Sequence, residues 1–108
     1  MGPAPLGVVI PTLNEVEHLP HLLADLALVE PQLQVVVADG GSIDDTASVA
    51  KAAGAAVVTA PTGRGAQLNA GAAALETEWL CFLHADVRMP AAARDALRDA
   101  LALSLIHI

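Results

Sequence analysis

Apolar residues in this chain fall into short continuous runs that alternate with stretches of helical spacing. Residues 6–10 form a β-branched run closed by Pro11. Leu19, Leu22, Leu23, Leu26 and Val29 then recur along one helix face, with Asp25 and Glu30 off that stripe. Residues 33–38, LQVVVA, read as a second buried strand. Ser42 follows as a helix N-cap, with Asp44 and Asp45 in a first turn where the helix dipole favours acids, and Gly54 is the natural stop. Residues 55–60 make a third strand closed by Pro61, and Gly63-Arg64-Gly65 punctuates the chain before an alanine-rich helix over 66–75. Residues 79–83 form a fourth strand. Pro90 opens a last helix carrying Ala93, Leu97, Ala100 and Leu101 on one face.

Strands that are apolar throughout, each followed by a helix, imply an α/β fold with a parallel sheet covered on both faces. Right-handed crossovers then give a doubly wound, mostly parallel, Rossmann-like sheet, with the four strands expected in order 3-2-1-4. The length of 108 residues allows one domain and a modest core. Although 55% of the residues are apolar, charges or turn residues interrupt every apolar stretch before the about 18 residues that a membrane span needs. Residues 1–5 carry no basic region and no long apolar region, so no secretory signal is expected and a cytoplasmic location is the default.

Charge and cysteine content narrow the partners. A net charge of −7 argues against broad binding of nucleic acid or anionic lipid, but leaves room for a phosphate held by a few fixed groups or a metal. The single cysteine, Cys81, excludes a disulfide framework and a cysteine-rich zinc site, and within WLCFL it reads as a buried small hydrophobe. His18, His21 and His107 have no paired ligands nearby and read as surface or packing residues.

Ligands of open parallel sheets bind beyond the carboxyl ends of the strands, near the switch point. In this chain Pro11-Thr12-Leu13-Asn14-Glu15, Asp39-Gly40-Gly41-Ser42, Thr62-Gly63-Arg64-Gly65 and His84-Ala85-Asp86 follow the four strands. Asp39 can accept hydrogen bonds from a base or from ribose hydroxyls, and Gly40 and Gly41 allow close backbone approach. The same four residues also fit a plain strand-to-helix turn with Ser42 as cap, and Asn14 and Glu15 equally fit caps of the first helix. Arg64 at a helix start suits a phosphate. His84 and Asp86, separated by one residue, can both turn toward a divalent ion, and carboxylate oxygen suits Mg²⁺ or Mn²⁺ on a diphosphate. No P-loop, no G-x-G-x-x-G after the first strand and no G-x-S-x-G is present.

In this order and spacing, VVIPTLNE, ADGGSIDDT, GRGAQLNAGA and LCFLHAD resemble glycosyltransferase family 2, a GT-A family. The resemblance reaches to about Pro90. It implies that Thr12, Glu15 and Asp39 contact the nucleoside, usually uridine, in a nucleotide-sugar site that also includes Pro11, Asn14, Gly40 and Gly41. It further implies that Arg64 and Asn69 lie near the base or pyrophosphate, and that His84, Ala85 and Asp86 stand for the D-x-D motif, with Asp86 on an Mn²⁺ or Mg²⁺ ion. Two positions depart from the pattern: Gly40 replaces the second aspartate of D-D-G-S, and His84 the first of D-x-D. Both departures occur in a bacterial subgroup of selenodomain-associated or arsenosugar-type transferases that the chain resembles.

By this resemblance the reaction is inverting transfer of a sugar from a nucleoside diphosphate sugar, UDP-linked in the usual case, to an acceptor hydroxyl. The family's catalytic base and acceptor residues lie further downstream than this sequence reaches. Residues 1–102 are accordingly expected to be the nucleotide-sugar-binding part, able to bind donor without turnover. Residues 103–108, LSLIHI, break from the Ala/Arg/Asp helix before them and resemble a translated sequencing adapter; a genuine apolar helix end is the alternative. Two other functions stay open: a nucleotide-sugar-binding module without catalysis, and a nucleotidyltransferase. The latter usually carries a glycine- and arginine-rich segment where this chain has TLNE.

Overall fold

The computed structural model describes residues 6–29 and 33–106, with side chains described through Leu101. Residues 1–5, Glu30, His107 and the side chains of the LSLIHI segment lie outside that description.

The elements run β1 (Leu6–Thr12), α1 (Leu19–Ala27), β2 (Gln34–Asp39), α2 (Thr46–Ala52), β3 (Ala56–Thr59), α3 (Arg64–Ala73), β4 (Trp79–Phe82) and α4 (Ala91–Ile106). The sheet has the expected order β3-β2-β1-β4, and every pairing among the described residues is parallel. β1 continues through Pro11 to Thr12 instead of stopping at the proline. The Val9 carbonyl accepts from Leu83 N on the β4 side, so two residues on the nitrogen of Pro11 faces the same side, past the last pairing of β4 with Val9. A missing N–H breaks no ladder bond there.

One sheet face is formed by Leu6, Val8 and Ile10, with Val37 beside them. It buries Leu19, Leu22, Leu23 and Leu26 of α1, Ala50 of α2 and Leu101 of α4 in a single cluster. α3 covers the other face. Its approach to β1 is close enough that a Cβ on Gly71 would stand 2.3 Å from Val9 Cγ1, so only glycine fits this contact. β4 is an edge strand among the described residues, and Trp79, Leu80 and Phe82 are exposed along it. Cys81 is half-buried, and burial pushes its thiol pKa up, as befits an inert core-edge residue.

Asp25 departs from its expected place on the polar side of α1. It is buried, because the segment after β4 folds over it. Arg88 Nε donates to Asp25 Oδ2 at 2.8 Å and Arg88 Nη2 to Oδ1 at 3.1 Å, while Met89 N donates to Oδ2 at 2.8 Å. Arg94 closes the group by donating from Nη1 to Met89 O at 3.0 Å. The Arg88 guanidinium, the Met89 amide and the charge of Arg94 together hold the Asp25 carboxyl at about 2, against burial.

A folded-state pKa below the ordinary value means that this contribution to stability is complete above pH 3.8 and is lost as pH falls toward about 2. Asp25→Asn should therefore lower Tm at neutral pH and flatten the dependence of Tm on pH across that window. Thermal unfolding of parent and variant in a series of acid buffers checks it; parallel curves would contradict it.

Candidate functional site

Thr12 ends β1 and Asp39 ends β2, and the parallel register places them side by side. Thr12 Oγ1 donates to Asp39 Oδ1 at 2.8 Å, and Ser42 Oγ donates to the same oxygen at 2.5 Å. Gly41 N and Ser42 N donate to Asp39 Oδ2 at 3.2 and 2.9 Å. A carboxylate offers about four lone-pair positions, so this one is fully engaged. Burial works against its charge, but the hydrogen bonds, led by those of Ser42, outweigh it and hold the carboxyl below its ordinary pKa. Gly41 makes the tight return possible at φ +97°.

The loops that follow the two strands are laced together by reciprocal bonds. Asn14 N donates to Ser42 Oγ at 2.8 Å, and Ile43 N returns a bond to Asn14 Oδ1 at 2.8 Å. Glu15 N donates to Thr46 Oγ1 at 2.9 Å, and Val16 N to Asp44 Oδ2 at 3.3 Å. Asn14 takes the left-handed conformation, φ +56°, which asparagine tolerates better than other residues with a side chain.

This lacing corrects three expectations. Ser42 does not cap α2, whose N-cap is Asp45 without a side-chain bond, because its hydroxyl is held by Asp39 and Asn14. Neither Asn14 nor Glu15 caps α1 through its side chain; the N-cap is His18, and Glu15 contributes its carbonyl to His18 N and Leu19 N. His18 is exposed, as expected of a surface residue, and stands 3.2 Å from Glu15 Oε2 through Nδ1.

Across the sheet, Pro11, Arg64, Leu68, Phe82, Leu83 and His84 line a cleft of ≈ 170 Å³. Residues predicted from three separate segments thus meet: Pro11 from β1, Arg64 from the start of α3, and His84 from the end of β4. Arg64 is exposed, and the first turn of α3 opens beside it. Asn69 is exposed on the same helix but does not line the cleft. After β4, Ala85 is buried in the core cluster while His84 and Asp86 on either side of it are exposed, and Val87 N closes the turn on His84 O at 3.1 Å. A larger cleft of ≈ 220 Å³, lined by Leu23, Leu26, Val35 and Ala53 among others, opens at the opposite ends of the strands, and none of its lining side chains is charged or hydrogen-bonding.

No group of three metal-binding side chains occurs among the described residues. The candidate donor is the Asp86 carboxylate, exposed after β4, with the exposed His84 two residues before it. That fits a hard cation that takes one or two protein ligands and completes its shell with ligand phosphates and water, not a closed protein cage.

Four structural contributors lie inside the motifs but were given no site role by the sequence: Ser42, Asp44, Thr46 and, above all, Gln67. Gln67 is buried on α3, and its place on one stripe with Gly63 and Gly71, four residues either way, is the signal that could have marked it.

The sequence pattern of glycosyl transferase family 2 matches residues 7–97. The chain belongs to that family. An uncharacterized glycosyltransferase of Mycobacterium tuberculosis is 42% identical over 85 residues, which cover 78% of this chain and 38% of the relative. The chain thus corresponds to less than two-fifths of the length of such curated relatives. Glucosyl-3-phosphoglycerate synthase from M. tuberculosis, crystallised with UDP, superposes with a TM-score of 0.71 at 30% identity over 81% of this chain and 35% of that one. The same enzyme has been crystallised with Mn²⁺, UDP and glucosyl-3-phosphoglycerate. S. aureus TarS superposes with a TM-score of 0.77 at 25% identity over 95% of this chain and 20% of that one. The fold is the GT-A fold.

Asp39→Ala leaves four donors without their acceptor. The cost is roughly 1–3 kcal/mol for the buried Thr12 hydroxyl and less for the part-buried Gly41 and Ser42 groups, whereas Asp39→Asn keeps an acceptor for the two backbone N–H groups. Urea denaturation should show Asp39→Ala losing clearly more stability than Asp39→Asn. Equal losses would mean that the four bonds do not hold the turn.

Proposed function

We propose that this chain forms the donor side of a glycosyltransferase that moves a sugar from a UDP-linked donor to an acceptor hydroxyl with inversion. The observation that carries the reading is the convergence of all four strand ends on one rim. Thr12 and Asp39 meet on one side of it, and Pro11, Arg64 and His84 share a cleft on the other.

On this reading the Asp39 turn receives the nucleoside. The Ser42 and Thr12 hydroxyls can rotate, so a base N–H or ribose hydroxyl can take the place of one of them on the carboxylate at little net cost. Arg64 faces the pyrophosphate, where its guanidinium and the free N–H groups of the first turn of α3 favour an anion. Asn69, exposed further along that helix, serves the same end from its surface. Asp86, with His84 beside it, would hold Mn²⁺ or Mg²⁺ against the diphosphate. When bound, such an ion supplies neutralisation of the charge that develops on the leaving diphosphate. The base that deprotonates the acceptor is assigned to no residue of this chain, and the assignment places donor binding, not turnover, in residues 1–102. The donor and the proposed chemistry agree with a cytoplasmic enzyme, and no helix among the described residues is long and apolar enough to cross a membrane.

Calorimetry of UDP binding in Mn²⁺ tests the reading. Affinity should fall by about tenfold or more in Asp86→Ala, the equivalent of ~1.4 kcal/mol. Asp39→Ala should bind uridine more weakly with or without metal. UDP affinity that ignores both metal and Asp86 would remove the metal role. A uridine affinity untouched by Asp39→Ala would leave Asp39 as a turn residue alone.

A further inference from the structure

Gln67 lies on α3, the helix that opens with Arg64, yet its side chain is turned beneath the rim and is 5% exposed. Both ends of its amide are used. Nε2 donates to Thr12 O at 2.9 Å and to Ala38 O at 2.9 Å, and Oε1 accepts from Gly63 N at 3.0 Å. A single side chain therefore joins the carboxyl ends of β1 and β2 to the turn that begins α3. These are the three segments that carry Thr12, Asp39 and Arg64.

Gly40 lies directly against this amide. A Cβ at position 40 would stand 2.8 Å from Gln67 Cδ and Oε1 and 3.0 Å from Nε2. The tip of a glutamine ordinarily moves aside at little cost. Here it cannot move without breaking bonds to buried backbone groups, and such groups are costly to leave unpaired. The backbone of Gly40 cannot retreat either: its N–H donates to Thr12 O at 2.9 Å, and its carbonyl accepts from Thr62 Oγ1.

We propose that Gln67 is the positioning residue of the donor rim and that Gly40 is its steric counterpart. The pair sets the spacing of Thr12, Asp39 and Arg64 before any ligand arrives. It also excludes a side chain at position 40, where the family pattern carries its second aspartate. The role of the rim rests on the donor-site reading above; the coupling of positions 40 and 67 does not.

A double-mutant cycle on the full chain, with Gly40→Ala, Gln67→Ala and the pair combined, tests the coupling by thermal unfolding without ligand. Gly40→Ala should lower Tm sharply in the parent and far less in the Gln67→Ala background. Gln67→Met, which keeps the length of the side chain and removes its three bonds, tests the positioning. Measured well below its Tm, it should bind UDP about tenfold more weakly, the size expected when hydrogen bonds that hold a site are lost. Its Gly63 amide proton resonance should also shift upfield, a change that lost stability alone does not produce. Equal losses of Tm from Gly40→Ala in both backgrounds would overturn the pairing, and an unchanged UDP affinity in Gln67→Met would overturn the positioning role. Should the parent bind no UDP, the donor reading fails by itself, and the cycle with the Gly63 resonance still decides the proposal.

Discussion

A carboxylate buried at the end of the second strand is the constraint from which the rim follows. Asp39 is 4% exposed, and a charge in that position costs several kcal/mol unless donors replace the water it has lost. Two hydroxyls and two backbone N–H groups do so. Each imposes a condition: a hydroxyl at Thr12, a residue free to adopt positive φ at Gly41, and a serine at 42 whose side chain points inward. With Ser42 turned inward, its oxygen also receives Asn14 N, and the first two loops close on each other.

The same device recurs at the other side of the molecule. Asp25, also buried, gathers Arg88 and Met89 and fixes the segment that links β4 to α4. Asp86 sits on that segment, two residues before Arg88. Two buried aspartates thus anchor loops at the rim, Asp39 the turn after β2 and Asp25 the segment after β4. Among the described residues, the opposite ends of the strands close around leucine, valine and alanine.

The strands and their order were legible because they depend on local pattern. Residues 35–38 are apolar without alternation, as a strand covered on both faces requires, and handedness then limits the order. Residues 79–83 show the same run, yet β4 is an edge strand among the described residues, with Trp79, Leu80 and Phe82 exposed. Boundaries were legible to within one or two residues, as with α3, which begins at Arg64 and not at residue 66. The start of α2 moved by more than that. Ser42 has every local property of an N-cap, but its hydroxyl answers to Asp39 and Asn14, which are distant in sequence or already in the turn. Asp25 escaped notice for the same reason, since its partners lie more than 60 residues away. Gln67 looked like one polar residue in an alanine helix; its three bonds exist only once β1, β2 and the Gly63 turn are assembled. That Pro11, Arg64 and His84 share a cleft was legible because each lies at or past the carboxyl end of a strand, and a parallel sheet brings such positions to one edge.

We propose that the nucleotide binds at this edge and not in the larger cleft at the opposite ends of the strands. Amide chemical-shift mapping of the isotope-labelled chain during titration with UDP and Mg²⁺ addresses it most directly. The perturbed amides should cluster at residues 12–15, 39–43, 63–69 and 83–87. Perturbations centred on Leu23, Leu26, Val35 and Ala53, with the rim unmoved, would contradict it.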